Sequence, residues 1–296
     1  MALSTYSELQ TEIASWLDRS DLTAQIPTFI KLAEARINRT LRVRAMETVV
    51  QHTMVGLSKR IALPSDYLQM RGLKFSSDKI ATTTLNGEIS DSVDTILLTS
   101  AADFTATGTI LIGTEQITYT GKSTNTLTGC VRGANSTTAA LHVDGSTVDQ
   151  IYTSWTEGAT LSTGVSTLYV LKYVSPEILT SVKAGSTSGV PSVYTMSAGH
   201  ILFGPVPSSY YTCEMVYYQK IPALTDAAPT NWCLTANPDL FLYGSLVEAE
   251  PFLMNDQRVQ LWGLGFEKGM ADLEEQDAKD QFSGSELRVF NTSGYY

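Results

Sequence analysis

Three histidines, three cysteines and one run of carboxylates are the residues of this chain best suited to chemistry, and their spacing argues against most of it. His52, His142 and His200 are widely separated, and none has a second ligand at i+4, the spacing that sets two imidazoles on one helix face around zinc. Cys130, Cys213 and Cys233 are odd in number, with no CxxC pair and no Cys/His cluster. That argues against a disulfide framework and against structural zinc, and suits a reducing compartment. Gly263-Leu264-Gly265-Phe266 has some of the glycine spacing of a phosphate loop, but it falls inside a helical pattern with no strand before it. Gly121-Lys122-Ser123 lacks the upstream glycine of a P-loop, and no G-x-S-x-G elbow occurs. Asp272, Glu274, Glu275 and Asp277, with Lys279 and Asp280 nearby, lack the glycine and spacing of a calcium loop and read as a solvated helix end. Asn135-Ser136-Thr137 and Asn291-Thr292-Ser293 match a glycosylation sequon and, with no secretory signal, mark surface loops only. No catalytic residue, metal or cofactor is expected, and the chain reads as a non-enzyme.

One cationic feature stands apart. Arg36, Arg39 and Arg42 recur every three residues at the end of a helical pattern, with Arg44 just after, which puts three guanidinium groups on one face over about two turns. A solvated or salt-bridged helix face accounts for them, helped by the negative end of the helix dipole. The sharper alternative is a contact with an acidic surface, for example the C-terminal helices of a neighbouring copy. DNA readout is a weaker third, because no aromatic or amide side chains interleave with the arginines.

The elements that position these residues follow from periodicity. Thr5 and Glu8 form a capping-box pattern ahead of Leu9, Ile13, Trp16 and Leu17, and this helix should stop near Arg19. A second helix carries Pro27 in its first turn and faces Ile26, Phe29, Ile30, Ala33, Ile37 and Leu41 inward. Short strands follow from Thr48 to Phe75, with His52 a structural or surface residue among them. Residues 90–148 form a block rich in Thr, Ser and Gly, including a hairpin around Thr114-Glu115, and read as a small inserted β-domain. Strands resume at Val148, with a short helix after Ser175-Pro176-Glu177 and a hairpin turn at Ser197-Ala198-Gly199. Tyr210 to Tyr218 is the strongest strand, and Ala223 to Thr230 reads as a loop.

Near the end, Asn237-Pro238-Asp239 starts a helix with Leu240, Tyr243, Leu246, Val247 and Leu253 on one face, and Pro251 should end or kink it near Glu250. Asn255 can cap a second helix with Val259, Trp262, Phe266, Met270 and Leu273 inward, running to Glu275. Beyond it, Gln276 to Tyr296 loses the apolar period and reads as a polar arm with an aromatic end. The fold class is therefore α+β. N- and C-terminal helices form a helical bundle, packed with a mainly antiparallel β region, and carry an inserted small all-β domain. Residues 1–89 and 149–275 are the core, 90–148 the insertion and 276–296 a flexible arm.

Composition agrees. The 296 residues are 43% hydrophobic and 17% charged, ample for a packed core. A net charge of −10 opposes general nucleic-acid binding. Residues 1–75 hold ten Lys/Arg against seven Asp/Glu, whereas 237–281 hold three against ten. Such asymmetry suits contacts between subunits, although two solvated faces also explain it. No apolar run approaches the ~20 residues of a membrane span, so no membrane partner is expected. The first six residues show no basic region followed by an apolar run, which points to a soluble cytoplasmic product without a signal peptide.

Several stretches together resemble the head–tail adaptor (connector) proteins of short-tailed bacteriophages. They are Tyr6-Ser7-Glu8-Leu9, Ile26 to Ile30, Ala33 to Arg39, Leu63-Pro64-Ser65-Asp66-Tyr67, Tyr217 to Leu224, Thr230 to Leu234, and Pro238 to Gly244 with Glu248-Ala249-Glu250. The β block, through Gly113 to Gly121 and Val131-Arg132-Gly133-Ala134-Asn135, resembles a module inserted in various phage virion proteins. The resemblance implies a non-enzymatic virion protein at the head–tail interface, made in the host cytoplasm. It implies a homo-oligomeric ring of twelve copies beneath the portal protein, with helices making the ring contacts. Arg36, Arg39 and Arg42 are the candidates for that subunit contact. Ser283, Leu287, Phe290, Tyr295 and Tyr296 of the arm are the candidates for the portal contact. Tail nozzle or fibre proteins are the further partners, and DNA passes through the acidic channel without specific binding. A receptor- or carbohydrate-binding tail protein is the alternative that the Ser/Thr/Gly-rich strands would support. A tail-associated hydrolase is the enzyme alternative, and it lacks a paired Asp/Glu arrangement.

Overall fold

The computed structural model describes residues 3–19, 21–54, 60–76, 81–157, 168–185, 188–208, 211–253 and 256–282. Val55, Gly56, Thr167, Tyr210, Asn255 and the second sequon at Asn291 lie outside them. The chain is α+β, and it divides into two compact units, Met1–Glu47 with Tyr218–Tyr296, and Thr48–Tyr217. Six α-helices are described: α1 (Tyr6–Leu17), α2 (Ile26–Thr40), α3 (Pro176–Gly185), α4 (Trp232–Ala236), α5 (Pro238–Phe252) and α6 (Asp256–Phe282).

The first unit is helical. At the start of α1 the Glu8 N–H donates to Thr5 Oγ1, and Glu8 Oε2 accepts from the Thr5 and Ser4 N–H groups at 3.0 and 2.9 Å, so the expected capping box forms. The predicted inner faces of α1 and α2 are buried, apart from Trp16 at the solvent edge. Around α5 the expectation of one apolar stripe fails. Leu240, Phe241, Leu242, Ser245, Leu246, Val247, Ala249 and even Glu250 are all buried, because α1, α2, α4 and α6 pack around this helix. Such encirclement needs close approach. A Cβ on Gly244 would lie 3.0 Å from Ala33 Cβ and 3.1 Å from the Phe266 ring. One on Gly265 would lie 3.1 Å from the Tyr243 ring. The glycines that superficially matched a phosphate loop thus sit inside α6, and Gly265 is there for packing.

Two further differences concern helix limits. Pro251 lies within the last turn of α5, which runs on to Phe252. The helix α6 continues seven residues beyond Glu275 to Phe282. Apolar periodicity ends there but helix-forming residues do not, and Lys279 pairs with Glu275 at i,i+4, 2.6 Å apart. The short α4, which was not expected, follows the predicted loop and is capped by Asn231, whose Oδ1 accepts from the Leu234 N–H at 2.7 Å.

The second unit is built on sheets. One has the strand order Thr156–Glu157, Glu47–Met54, Tyr211–Gln219, Tyr67–Ser76, Leu168–Val170. Another runs Lys172–Tyr173, Val193–Ser197, His200–Gly204, Arg60–Ala62, with the first pair parallel and the others antiparallel. The expected hairpin closes with Ser197 opposite His200. Val50, Met54, Phe75, Phe203, Cys213, Met215 and Tyr217 share one buried cluster in this unit. His52 belongs to the same strand as Val50. Burial pushes its pKa down to about 4, against backbone hydrogen bonds with Thr53 and Thr153 that favour the cation.

A second buried cluster joins Ala81, Leu85, Ile96, Leu98, Phe104, Ile110, Ile117, Leu127 and Val148, so its members begin before residue 90. Its sheets are Thr82–Thr84, Thr147–Ile151, Gly108–Ile112, Glu115–Tyr119, and separately Thr95–Leu97, Thr126–Thr128, Gly121–Ser123. Glu115 is not at the hairpin tip. Ile112 pairs with Glu115 across a two-residue turn, Gly113-Thr114, with Gly113 at φ +61°. The Glu115 carboxylate is 1% exposed. It accepts two 2.8 Å bonds from Arg132, one of 2.7 Å from His142 Nε2, and the N–H groups of Gly133 and Ala140 at 3.0 and 3.1 Å. Arg132 also donates to the carbonyls of Ser90 and Ala140, so one buried ion pair ties the hairpin to both flanking loops. Burial pushes the Glu115 pKa up, but these five bonds outweigh it and hold it at about 2.

Glu115 therefore stabilises the fold above its ordinary pKa of 4.5, and that contribution is lost as pH falls towards 2. His52, with its pKa lowered from 6.5 to about 4, erodes stability over that earlier interval, because the unfolded chain takes the proton first. Urea denaturation followed by circular dichroism should show stability falling below pH 6.5 and again below 4.5. Glu115→Gln should shrink the second fall and cost about 3–5 kcal/mol at neutral pH, because Arg132 is left buried without its counter-ion.

Candidate functional site

The arginines singled out by sequence, Arg36, Arg39, Arg42 and Arg44, lie in the helical unit. On α2, Glu34 and Asn38 are one turn apart and clamp the extended segment after the strongest strand. Glu34 Oε1 accepts from the Leu224 N–H at 2.7 Å, and Asn38 Oδ1 from the Ile221 N–H at 2.9 Å. Burial raises the Glu34 pKa, against the Leu224 bond that lowers it. Asn231 Nδ2 donates to the Pro222 carbonyl at 2.8 Å, and the Tyr6 N–H to that of Pro229 at 2.7 Å. In the other unit, Asp66 accepts from the Tyr217 hydroxyl at 3.0 Å, and the Tyr67 and Tyr217 rings stack 5.7 Å apart. Within each unit, stretches far apart in sequence are thus hydrogen-bonded to one another. Glu34 and Asn38 were not singled out by sequence; two polar residues at i and i+4 beside an apolar stripe were the available signal.

The arginines separate into different roles. Arg36 Nη2 pairs with Glu248 at 2.6 Å and its guanidinium lies 5.9 Å from the centre of the Phe266 ring. The helix ends at Thr40, so Arg42 lies past it and turns back onto the Asn38 and Leu41 carbonyls. Arg44 pairs with Asp277 through Nε at 3.0 Å. Arg36 and Arg44 therefore meet the acidic helices α5 and α6 of their own chain. Arg39 makes no ion pair or hydrogen bond among the described residues. It lines a groove of ≈ 590 Å³ with Arg36, Thr40, Phe266, Glu267, Met270, Ala271 and Glu274. The arm residues Ser283, Leu287, Phe290, Tyr295 and Tyr296 lie outside the described residues.

At the far end of α5, Glu250 is fully buried. It pairs with Arg258 at 3.2 Å and accepts from Trp262 Nε1 at 3.2 Å. Trp262 continues into an aromatic group with Trp16 and Tyr243, at ring distances of 5.2 and 6.0 Å. Among the described residues, no group of three or more His, Cys, Asp or Glu is placed to hold a metal ion, and no helix is long and apolar enough to cross a membrane.

A family model described as SU10 adaptor protein matches residues 4–125 and 122–289. The chain belongs to this family. The SU10 adaptor is a structural component of the phage virion, and its family is not an enzymatic one. No individual curated protein matches the chain. The two matched segments overlap at residues 122–125, where the strand Gly121–Ser123 turns towards Thr126–Thr128, and together they take in both units.

The ion pairs of the adaptor differ in what they support. Arg36→Ala should cost at most about 1 kcal/mol, because its pair with Glu248 is partly solvated. Arg258→Ala should cost about 3–5 kcal/mol by leaving the Glu250 carboxylate buried beside the Trp262 N–H. Chemical denaturation of the two variants, side by side, checks the order.

Proposed function

We propose that this adaptor forms a ring, of twelve copies, between the portal and the tail, through which DNA leaves the head. The carrying observation is the family match across both units. The helical unit acts as a bundle that makes the ring contacts, with Arg39 among its exposed cations. The cluster from Ala81 to Val148, around the 90–148 block, is an inserted β-domain with its own core, placed to meet nozzle or fibre proteins. A ring of chains each carrying −10 repels phosphate on average, so DNA passes without being held.

Residues 283–296 supply the portal contact through Ser283, Leu287, Phe290, Tyr295 and Tyr296. The deletion that tests this begins at 283, because α6 and its Asp277–Arg44 pair extend beyond 276. Mixed with its portal protein, the full chain should sediment as a ring-sized complex. The 283–296 deletion should keep its circular dichroism spectrum and lose the complex; retained binding would remove the arm from the contact. Arg39→Glu should weaken the ring at low salt and less at high salt. Assembly of Arg39→Glu equal to the parent at every salt concentration would leave Arg39 a solvated residue.

A further inference from the structure

Of the eight asparagines in the chain, Asn86 alone is followed by glycine. An asparagine amide is open to attack by the backbone nitrogen of the next residue, and a side chain on that residue obstructs the approach. Both residues of the pair are exposed, and the Asn86 amide has no hydrogen bond among the described residues. Gly87 takes φ +104°, and a Cβ there would meet nothing within 4 Å. The other described asparagines are held or blocked. Asn38 and Asn231 accept from the N–H groups of Ile221 and Leu234, and Asn125 bonds Ala101 and Thr99. Asn135 Nδ2 donates to Gln116 at 2.8 Å. Asn237 precedes Pro238, which has no N–H to give up. A carboxylate completes the arrangement at Asn86. Leu85 and Ile89, both in the buried cluster from Ala81 to Val148, are bonded to Ser146 and His142. In that register, continuous with Thr84 opposite Thr147, Gly87 stands opposite Asp144. The Gly87 N–H turns out of the ladder and donates to Asp144 Oδ1 at 2.7 Å. Asp144 is exposed and has no other ion pair or hydrogen bond among the described residues.

We propose that Asn86–Gly87 is a site of spontaneous deamidation, with the Asp144 carboxylate drawing off the Gly87 proton as the asparagine amide closes into a cyclic imide. The Gly87 nitrogen forms a bond to Asn86 Cγ and gives its proton to Asp144 Oδ1. The Cγ–Nδ2 bond then breaks, Nδ2 takes that proton back, and ammonia leaves. Solvent water reaches the exposed pair and opens the five-membered imide at either carbonyl. The product is aspartate, or β-aspartate with the chain running through the former side chain. Either form adds a negative charge beside Asp144. The β-linked form also puts one extra backbone carbon between Leu85 and Ile89, whose bonds to Ser146 and His142 fix the spacing on the facing segment.

The full chain, held at neutral pH in water enriched in heavy oxygen and sampled by peptide mapping, provides the test. Asn86 should be the first asparagine to convert, well ahead of Asn125 and Asn135 in the same digest. Its peptide should appear as a mixture of aspartyl and β-aspartyl forms carrying the heavy oxygen. Asp144→Ser removes the carboxylate without making a second Asn-Gly pair at Gly145. It should slow conversion of Asn86 about three- to tenfold in the folded chain. In guanidinium, where Asp144 is no longer held beside Gly87, parent and variant should convert at the same rate. Circular dichroism establishes that the variant is folded in the first comparison. Absence of conversion at Asn86 in the folded parent overturns the proposal without recourse to any variant. Conversion in folded Asp144→Ser as fast as in the parent, or faster, overturns it equally, because the hydrogen bond to Asp144 would then be neutral or protective.

Discussion

Encirclement of α5 is the constraint on which the helical unit depends. A helix buried over most of its circumference must be apolar over most of it, and its neighbours must come close. Gly244 meets that demand towards α2 and α6, and Gly265 towards Tyr243. A carboxylate at the end of such a helix is tolerable only with a partner, and Arg258 with Trp262 provides one for Glu250. The same logic explains the low cost of Arg36 and Glu248, which meet nearer solvent.

Charge asymmetry along the chain thereby acquires a partly internal meaning. Basic residues of the first segment and acidic residues of the last are brought together within one unit, in the Arg36–Glu248 and Arg44–Asp277 pairs. What remains for a partner is smaller and more local than the totals suggest. Arg39 and two glutamates stand around an apolar floor, so the rim of the groove carries both charges.

Much of the fold was legible because local signals were strong. The Thr5/Glu8 capping box, Pro27 near the start of α2, the inner faces of both early helices and the Ser197–His200 hairpin follow from spacing alone. The misses have a common cause. Periodicity reports one buried face, so a helix buried on most of its sides, as α5 is, looks like a weaker stripe. It also falls silent where a helix continues on propensity and ion pairs, as α6 does to Phe282. Glu115 looked like a polar hairpin tip because nothing local reveals that Arg132, His142 and two backbone N–H groups converge on it from 17 to 27 residues away. Of the candidate site, the arginine spacing was visible, but the division of labour within it was set by α5 and α6, some 200 residues later.

The order of segments also sets an order of events. The helical unit is made of the first and last parts of the chain, with Thr48–Tyr217 between them. On the ribosome, α1 and α2 emerge with their apolar faces complete but with α5 not yet made. At ordinary elongation rates the intervening unit takes on the order of ten seconds or more to synthesise. The sheets can form and close their own cores in that time. The amphipathic pair α1 and α2 remains a half-built interface for as long.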